Sequence, residues 1–519
     1  MFDTFFDPAE NLAVEVEVEE LKVQVSREQV RVKFLSDENT WLREQIKDLT
    51  RNKFGKKSER WETEEQRRLF DEAEMESKKP DFSGGDEDSI PETKVEGHTR
   101  KRGHRRPLPE SLAREIVKVE LPPEEQVAED GSPLKVIGWE VSEKLKYEPA
   151  KTSVVEYHRA KYGVDSGDYE KTAPPVPAII EKGIATAELL AAIVVGKYAD
   201  GLPLYRMEDI FLRSGIDLSR GTMARWMIKV AEACQPIWNV LSDRLHEAFY
   251  VACDETHTQV LKENGRKAES KSWMWVRSTP YDLKKIILFD YSPSRSGEVA
   301  KNLFSDFEGY LQCDGLGSYN CLESEKVVRI GCNMHARRRF EKAKVTGAKT
   351  GQSLGGKGLE FYKNIYDLEE DIRNLPPEER FRIRKVKAEP IFEEMKAWAE
   401  DQKAKVPVKS KIGQAFTYFI SEYEYLTGYL KDGRLEPDNG FTERAIRKFA
   451  IGRNNWMFSD SEAGANASAL LYSLVVTAKT NGVNPYKALV KLFSGVPCAK
   501  GADDYDRLAD LILTPETCA

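Results

Sequence analysis

Hydrophobic positions along this chain follow three rhythms. From Leu21 they recur in alternating steps of four and three, at Leu21, Val25, Val32, Leu35, Leu42, Ile46 and Leu49. Glu28 and Asn39 occupy the two polar slots of that register. Leucine then falls at d while Val25, Val32 and Ile46 fall at a, which favours a parallel two-stranded coiled coil with Asn39 fixing its register. A lone amphipathic helix packed on its own domain is the alternative. Between Glu181 and Cys234 apolar residues recur at helical spacing, interrupted at Gly201-Leu202-Pro203 and again at Gly215. Here Met207–Ser214 and Ser219–Val230, with Ser219 as an N-cap, are expected to form a helix-turn-helix. The third rhythm is a set of short apolar runs: "AFYVACDET", "SWMWVR", "KKIILFDYS", "GYLQCD" and "VVRIGC". They read as five strands, the first from Ala248 to Cys253, with a helix over "SGEVAKNLFSDF" before the fourth and another from "HARRRFEKAK" after the fifth.

Two of these strands end in an acid, Asp254 and Asp314, and the second runs directly into the turn residues "GLGS". Open α/β sheets place their chemistry at such strand ends. The order β-β-β-α-β-α-β with acids closing strands one and four is that of the ribonuclease H-like fold, in which strands one and four are neighbours. Paired carboxylates repel one another and are stable together mainly as ligands of a cation. Their hard oxygens suit Mg²⁺ or Mn²⁺, and a site with two such ions promotes phosphodiester cleavage. A third acid is expected from a helix. The stretch "EPDNGFTERAIRKFAIGRNNWMF" offers Glu443, on a helix that follows a turn and cap signal at Asp438-Asn439-Gly440 and carries Phe441, Ala445, Ile446 and Phe449 inward. Glu443 lies at the edge of that buried face. An ordinary solvated glutamate is the plain alternative, and Glu436, Asp438 and Glu255 are possible substitutes.

Composition sets the class. The 519 residues are 40% hydrophobic and 32% charged, which describes a globular protein of several folded units. No apolar run approaches a membrane span. The acidic start "MFDTFFDPAENLAVEVEVEE" lacks the marks of a signal peptide, so a cytoplasmic protein with no membrane partner is expected. Seven scattered cysteines suggest neither a disulfide framework nor a four-thiolate site, and a buried Cys332 is expected to close the fifth strand. The net charge of −8 argues weakly against nucleic acid, but the basic residues are concentrated. Arg100, Lys101, Arg102, Arg105 and Arg106 form a run without an acid, beside a segment rich in charge, Gly, Ser and Pro. Such a run either tracks a phosphate backbone or is simply solvated. Arg220, Arg225 and Lys229 are candidates to face DNA from the second helix of the helix-turn-helix. His335 with Arg337, Arg338 and Arg339, and Arg444, Arg447, Lys448 and Arg453, surround the acids with charge suited to phosphate. Trp456 is a candidate for base stacking, with a core role the alternative.

These segments together resemble the insertion-sequence-66 family of transposases, bacterial enzymes with an Asp-Asp-Glu catalytic domain. The resemblance rests on "FGKKSER", "KYADGLPLYRMEDIF", "CDET", "CDGLGSYN", "GCNMHARRRF", "RLEPDNGFTERAIR", "GRNNWMFSDSEAGANASALLYSL" and "TAKTNGVNP". It implies that Asp254, Asp314 and Glu443 form the metal-binding and catalytic triad, and that a helical insertion from about Val345 to Asp432 precedes the Glu443 helix. Val127, Asp130, Val164 and Gly167 stand where the family carries two zinc-binding cysteine pairs, so no structural zinc is expected. The expected architecture is multidomain α+β. Residues 1–60 form a coiled coil that pairs protomers, 61–106 a flexible basic linker, 107–180 a β-rich module and 181–240 the helix-turn-helix. A ribonuclease H-like domain spans 241–344 and 436–495, a helical insertion 345–435 and a C-terminal tail 496–519. The expected function is cleavage at transposon ends with two Mg²⁺ or Mn²⁺ ions, followed by transfer of the 3′-hydroxyl ends into target DNA, with accessory proteins of the same element as possible partners. The rivals are a nuclease that cuts without joining and a domesticated or decayed DNA-binding protein.

Overall fold

A computed structural model describes residues 152–159, 161–163, 170–172, 174–181, 183–344 and 353–515. The expected coiled coil, the linker with Arg100, Lys101, Arg102, Arg105 and Arg106, most of the β-rich module and the four positions lacking zinc cysteines lie outside the described residues. The chain from Tyr157 onward belongs to one compact unit. In it, strands β1 (Lys161–Gly163) and β2 (Glu170–Thr172) pair antiparallel.

Three helices come next: α1 (Ala187–Tyr198), α2 (Leu204–Arg213) and α3 (Arg220–His246). Ser219 caps α3 by accepting from the Thr222 amide, as its sequence position suggests. The helix does not stop near Val230, however. Met223, Trp226, Met227, Val230, Ala231, Cys234, Ile237, Leu241 and Leu245 are all buried at helical spacing. That continuous apolar face carries α3 through Pro236 and against the later helices at Glu462–Thr480 and Ala502–Leu513, where tertiary packing outweighs the local helix-breaking residue.

The central sheet has the order β5-β4-β3-β6-β7. Its members are β3 (Tyr250–Lys262), β4 (Lys271–Ser278), β5 (Ile287–Ser292), β6 (Gly309–Gln312) and β7 (Val327–Ile330). Strands β3, β4 and β5 are antiparallel neighbours, and β6 and β7 run parallel to β3. Helix α4 (Gly297–Leu303) makes the crossover to β6, and α5 (Asn333–Lys342) follows β7. The first strand is longer than the sequence pattern suggests. It runs eight residues past Asp254, because β4 pairs with it as far as Gln259 and the short strand β8 (Ser459–Ser461) pairs with it at Val260 and Lys262. Asp254 therefore sits within β3, beyond the last paired residue of β6.

Alternation along β3 divides two cores. Val251 and Cys253 pack with α1, α3, α12 (Glu462–Thr480) and α13 (Pro485–Gly495). Tyr250 and Ala252 face the other way, against Phe340 of α5 and the insertion helices α6 (Leu354–Ile372), α8 (Glu389–Lys403) and α9 (Lys411–Ser421). Helix α7 (Pro377–Ile383) and the short α10 (Tyr423–Leu426) complete the insertion, whose core is held by fully buried Arg384 against Glu369 at 2.7 Å. Helix α11 (Gly440–Trp456) then returns to the sheet. The stretch from 496, expected as a tail, instead contains helix α14 (Ala502–Leu513), whose Ala509, Ile512 and Leu513 are buried in the first core. Arg244 of α3 clasps it through Asp506 and Asp510, both at 2.9 Å.

Trp456 is half-buried and packs against the edge of the first core. It lies edge-on to Tyr198 at 6.5 Å, and the Lys197 ammonium sits 3.9 Å from its ring centroid. Burial lowers the Lys197 pKa from 10.5 to about 8. Between those values the unfolded chain binds a proton that the folded chain has released, so stability rises with pH across that window. Replacing Lys197 by Met should flatten the rise, as measured by thermal unfolding of the full-length protein between pH 7.5 and 10; an undiminished slope would show that Lys197 is not its source.

Candidate active site

The β3–β6 register pairs Ala252 with Gln312, so two residues further on Asp254, within β3, and Asp314, just past the end of β6, stand at matching positions. By alternation both share the face of Tyr250 and Gln312. Each main chain folds back on its acid: Asp254 Oδ1 accepts from the Glu255 amide at 2.9 Å, and Asp314 Oδ1 from the Leu316 amide at 3.0 Å. Burial, then the charges of Glu255, Glu443 and Asp314, hold Asp254 well above the usual carboxylate range. Glu255, Glu443 and Asp314 are thus all close enough for their charges to act on Asp254.

Glu443 lies in the first turn of α11 and is mostly buried, at 12% side-chain exposure. Beneath it Ala445 and Phe449 are buried and Phe441 and Ile446 are half-buried, the face that the sequence pattern assigns inward. The turn before it works differently from a simple cap. Asn439 caps no helical amide; it is fully buried, its Nδ2 donates to the Cys253 carbonyl at 2.8 Å, and its own amide donates to Cys332 Sγ at 3.3 Å. Its carbonyl accepts from the Glu443 amide at 3.0 Å. One residue therefore ties the strand of Asp254, the end of β7 and the helix of Glu443. Thr442 adds a buried bond to Ser278 of β4 at 2.8 Å.

The possible substitutes have partners of their own, and Glu255 is also close enough for its charge to raise the Asp254 pKa. Glu255 accepts from the Tyr319 hydroxyl at 2.7 Å and lies 3.7 Å from Arg295. Glu436 accepts from Arg380 at 3.3 Å, and Asp438 closes its own turn through the Gly440 amide at 2.8 Å. Three other residues escape a reading by motif. Arg329, fully buried in β7, donates to the Asp314 carbonyl at 3.1 Å, to Asn320 and to Glu422. A lone arginine inside the apolar run "VVRIGC" is the signal that could have found it. Tyr418, from the insertion, accepts from the Gly315 amide at 3.1 Å, and Glu422 beside it anchors Arg329. A Cβ on Gly315 would come within 2.6 Å of the Tyr418 ring, which explains the glycine straight after Asp314.

The basic residues separate into groups. Arg220, Arg225 and Lys229 are exposed along α3, and Arg444 and Arg447 are exposed along α11. Arg337 pairs with Glu341 at 3.6 Å, and Arg339 stacks on the Tyr418 ring at 4.0 Å. Arg338 engages Glu443. Arg453 is half-buried and donates to the His257 carbonyl. His335 lies 3.6 Å from Glu443, and burial lowers its pKa, which favours the neutral ring. Cys332, His335 and Glu443 bring ligand atoms within 4.8 Å of one another. Cys332 is nonetheless fully buried, and burial pushes its thiol far up. A protonated thiol is a poor metal ligand, whereas the carboxylates of Asp254, Asp314 and Glu443 offer the hard oxygens that Mg²⁺ or Mn²⁺ prefers.

The geometry of three clustered acids beside arginine-bearing helices agrees with the comparisons, which point to proteins that move DNA. The family model described as "Transposase IS66 family" matches residues 182–467, more than half of the chain and all three acids. A second, described as "Transposase C of IS166 homeodomain", matches residues 41–117. The chain belongs to the IS66 family of transposases. Three proteins of Sinorhizobium fredii are similar to it. The uncharacterized protein y4qI is 31% identical over 382 residues, 70% of each chain. The uncharacterized protein y4jD is 30% identical over 419 residues, 78% of this chain and 80% of its own. The uncharacterized protein y4hP is 28% identical over 464 residues, covering 85% and 83%. No solved structure matches the chain. Membership implies DNA transposase activity in general and DNA as a partner. No helix among the described residues is long and apolar enough to cross a membrane.

Because the Asn439 amide satisfies a buried carbonyl, Asn439→Ala should cost about 1–3 kcal/mol of stability, read by urea denaturation of the full-length protein. Wild-type stability in that variant would rule out the tie between β3 and α11.

Proposed function

We propose that the chain is a DNA transposase that cuts at the ends of its element and joins the freed ends to target DNA, with Asp254, Asp314 and Glu443 as the catalytic acids on a ribonuclease H-like sheet. The observation that carries this reading is the β3–β6 register, which sets two acids at matching positions on one face, with Glu443 near enough for its charge to add to burial and Glu255 in raising the pKa of Asp254. The strand order and the crossover after β5 also agree with that fold.

The three carboxylates would hold two divalent cations, Mg²⁺ or Mn²⁺. When bound, such ions supply Lewis acidity to the phosphodiester and to the attacking and leaving oxygens. The protein's part is to fix geometry. Asn439 and Thr442 hold the start of α11 against β3 and β4, Arg329 and Tyr418 hold the loop after Asp314, and the buried sheet fixes the two aspartates. Exposed Arg444 and Arg447 would take phosphates beside the site, and Arg220, Arg225 and Lys229 would face DNA from α3. In the first step water attacks phosphorus at the element's end, the P–O3′ bond breaks, and a 3′-hydroxyl is released. In the second that hydroxyl attacks a target phosphodiester, displacing a target 3′-oxygen, so bonds made and broken balance.

Asp314→Asn, Asp254→Asn and Glu443→Gln should each lower cleavage and joining by at least about a hundredfold while leaving binding to end DNA in place. The test is incubation of the protein with DNA bearing the element's ends and Mg²⁺ or Mn²⁺. Joined products that persist in any of the three variants would defeat the triad assignment. Cleavage without joined products from the wild type would favour the nuclease reading.

A further inference from the structure

Both oxygens of Glu443 are already taken. Arg338, on α5, sets its planar guanidinium against the carboxylate, with Nη1 donating to Oε1 at 3.2 Å and Nη2 donating to Oε2. His335 Nδ1 lies 3.6 Å from Oε1, too long for a hydrogen bond, so Arg338 is the partner that engages both oxygens. A cation can use Glu443 only if part of this fork opens. The neighbouring arginines on the same helix have other partners, Arg337 with Glu341 and Arg339 with the Tyr418 ring.

The pair is lopsided. Arg338 is 40% exposed whereas Glu443 is 12% exposed, so the guanidinium is the end that reaches solvent. The same fork that matches a carboxylate matches a phosphate, and an ion pair with one end in water is weak enough to trade.

We propose that Arg338 is a positioning residue that exchanges partners, holding Glu443 until a DNA phosphate draws the guanidinium away and frees the carboxylate for the cation site. The exchange rests on Asp254, Asp314 and Glu443 being the catalytic acids. It makes DNA binding and cation binding cooperative, and by linkage each tightens the other. Nuclease chemistry would then be suppressed at an acid cluster that has no DNA beside it.

The test is Mn²⁺ binding to the full-length protein, followed by electron paramagnetic resonance of the free ion, with and without a duplex carrying the element's terminal sequence. Without DNA, Arg338→Gln should bind Mn²⁺ roughly 2- to 5-fold more tightly than wild type, the worth of a partly exposed pair. The duplex should tighten wild type by a similar factor and leave Arg338→Gln nearly unchanged. Arg338→Lys, which keeps the charge but loses the fork, should fall between them. Lys342→Gln removes one positive charge from the same helix and should match wild type, separating the specific contact from a general change in potential. Equal affinity in wild type and Arg338→Gln, or an equal gain in Lys342→Gln, would overturn the exchange, as would DNA tightening Arg338→Gln as much as wild type. Mn²⁺ binding indifferent to Asp254→Asn and Asp314→Asn would overturn the triad reading and the exchange with it; binding lost in those variants but indifferent to Arg338 overturns the exchange alone.

Discussion

The parallel register between β3 and β6 is the constraint on which the rest of the site depends. Strand side chains alternate, so a slip of one residue would send Asp314 to the opposite face and separate it from Asp254. The pairing is pinned from inside. Tyr250 of β3 donates to the Gln312 side chain of β6 at 2.5 Å, both residues being buried. The Gln312 amide in turn donates to the carbonyls of Gly331, at 3.2 Å, and Glu436, at 3.0 Å. One glutamine thus aligns the second acid's strand with the end of β7 and with the segment that leads into α11. Misalignment would leave several buried polar groups without partners, and such groups are costly enough to select a single register.

The insertion is part of this arrangement. Its helices cover the face of the sheet on which the aspartates stand, and two of its side chains reach the loop after Asp314, one through Tyr418 and one through the Glu422–Arg329 pair. The loop's backbone is held by a buried guanidinium on one side and a phenol on the other.

Much of this was legible in the sequence. The five strands, the crossover helix and the three acids could be placed because short apolar runs bounded by turn residues carry a strong signal, and because an acid at the end of such a run stands out. The helix carrying Glu443 was legible from its buried face. What could not be read were features decided between distant segments. Asp254 looked terminal since the apolar run stops there, yet β4 and β8 extend β3 through "ETHTQVLK", where polar and apolar residues alternate. Pro236 and the polar surroundings hid the full length of α3, which only its packing against α12 and α14 explains. Asn439 looked like a cap and is a cross-link, because its partners come from β3 and from the β7–α5 turn. Arg338 and Arg453 looked like free charges; their partners, a glutamate and a carbonyl, are far away in sequence.

The placement of the insertion also sets an order of events during synthesis. The two aspartates emerge from the ribosome early, close together in sequence, whereas Glu443 follows only after the whole helical insertion has been made. Domains form largely in the order in which they are translated. A nascent or prematurely ended chain can therefore present β3 and β6, but it has neither the third acid nor Asn439 to hold it over them. Completion of the chain is itself the step that assembles the cluster.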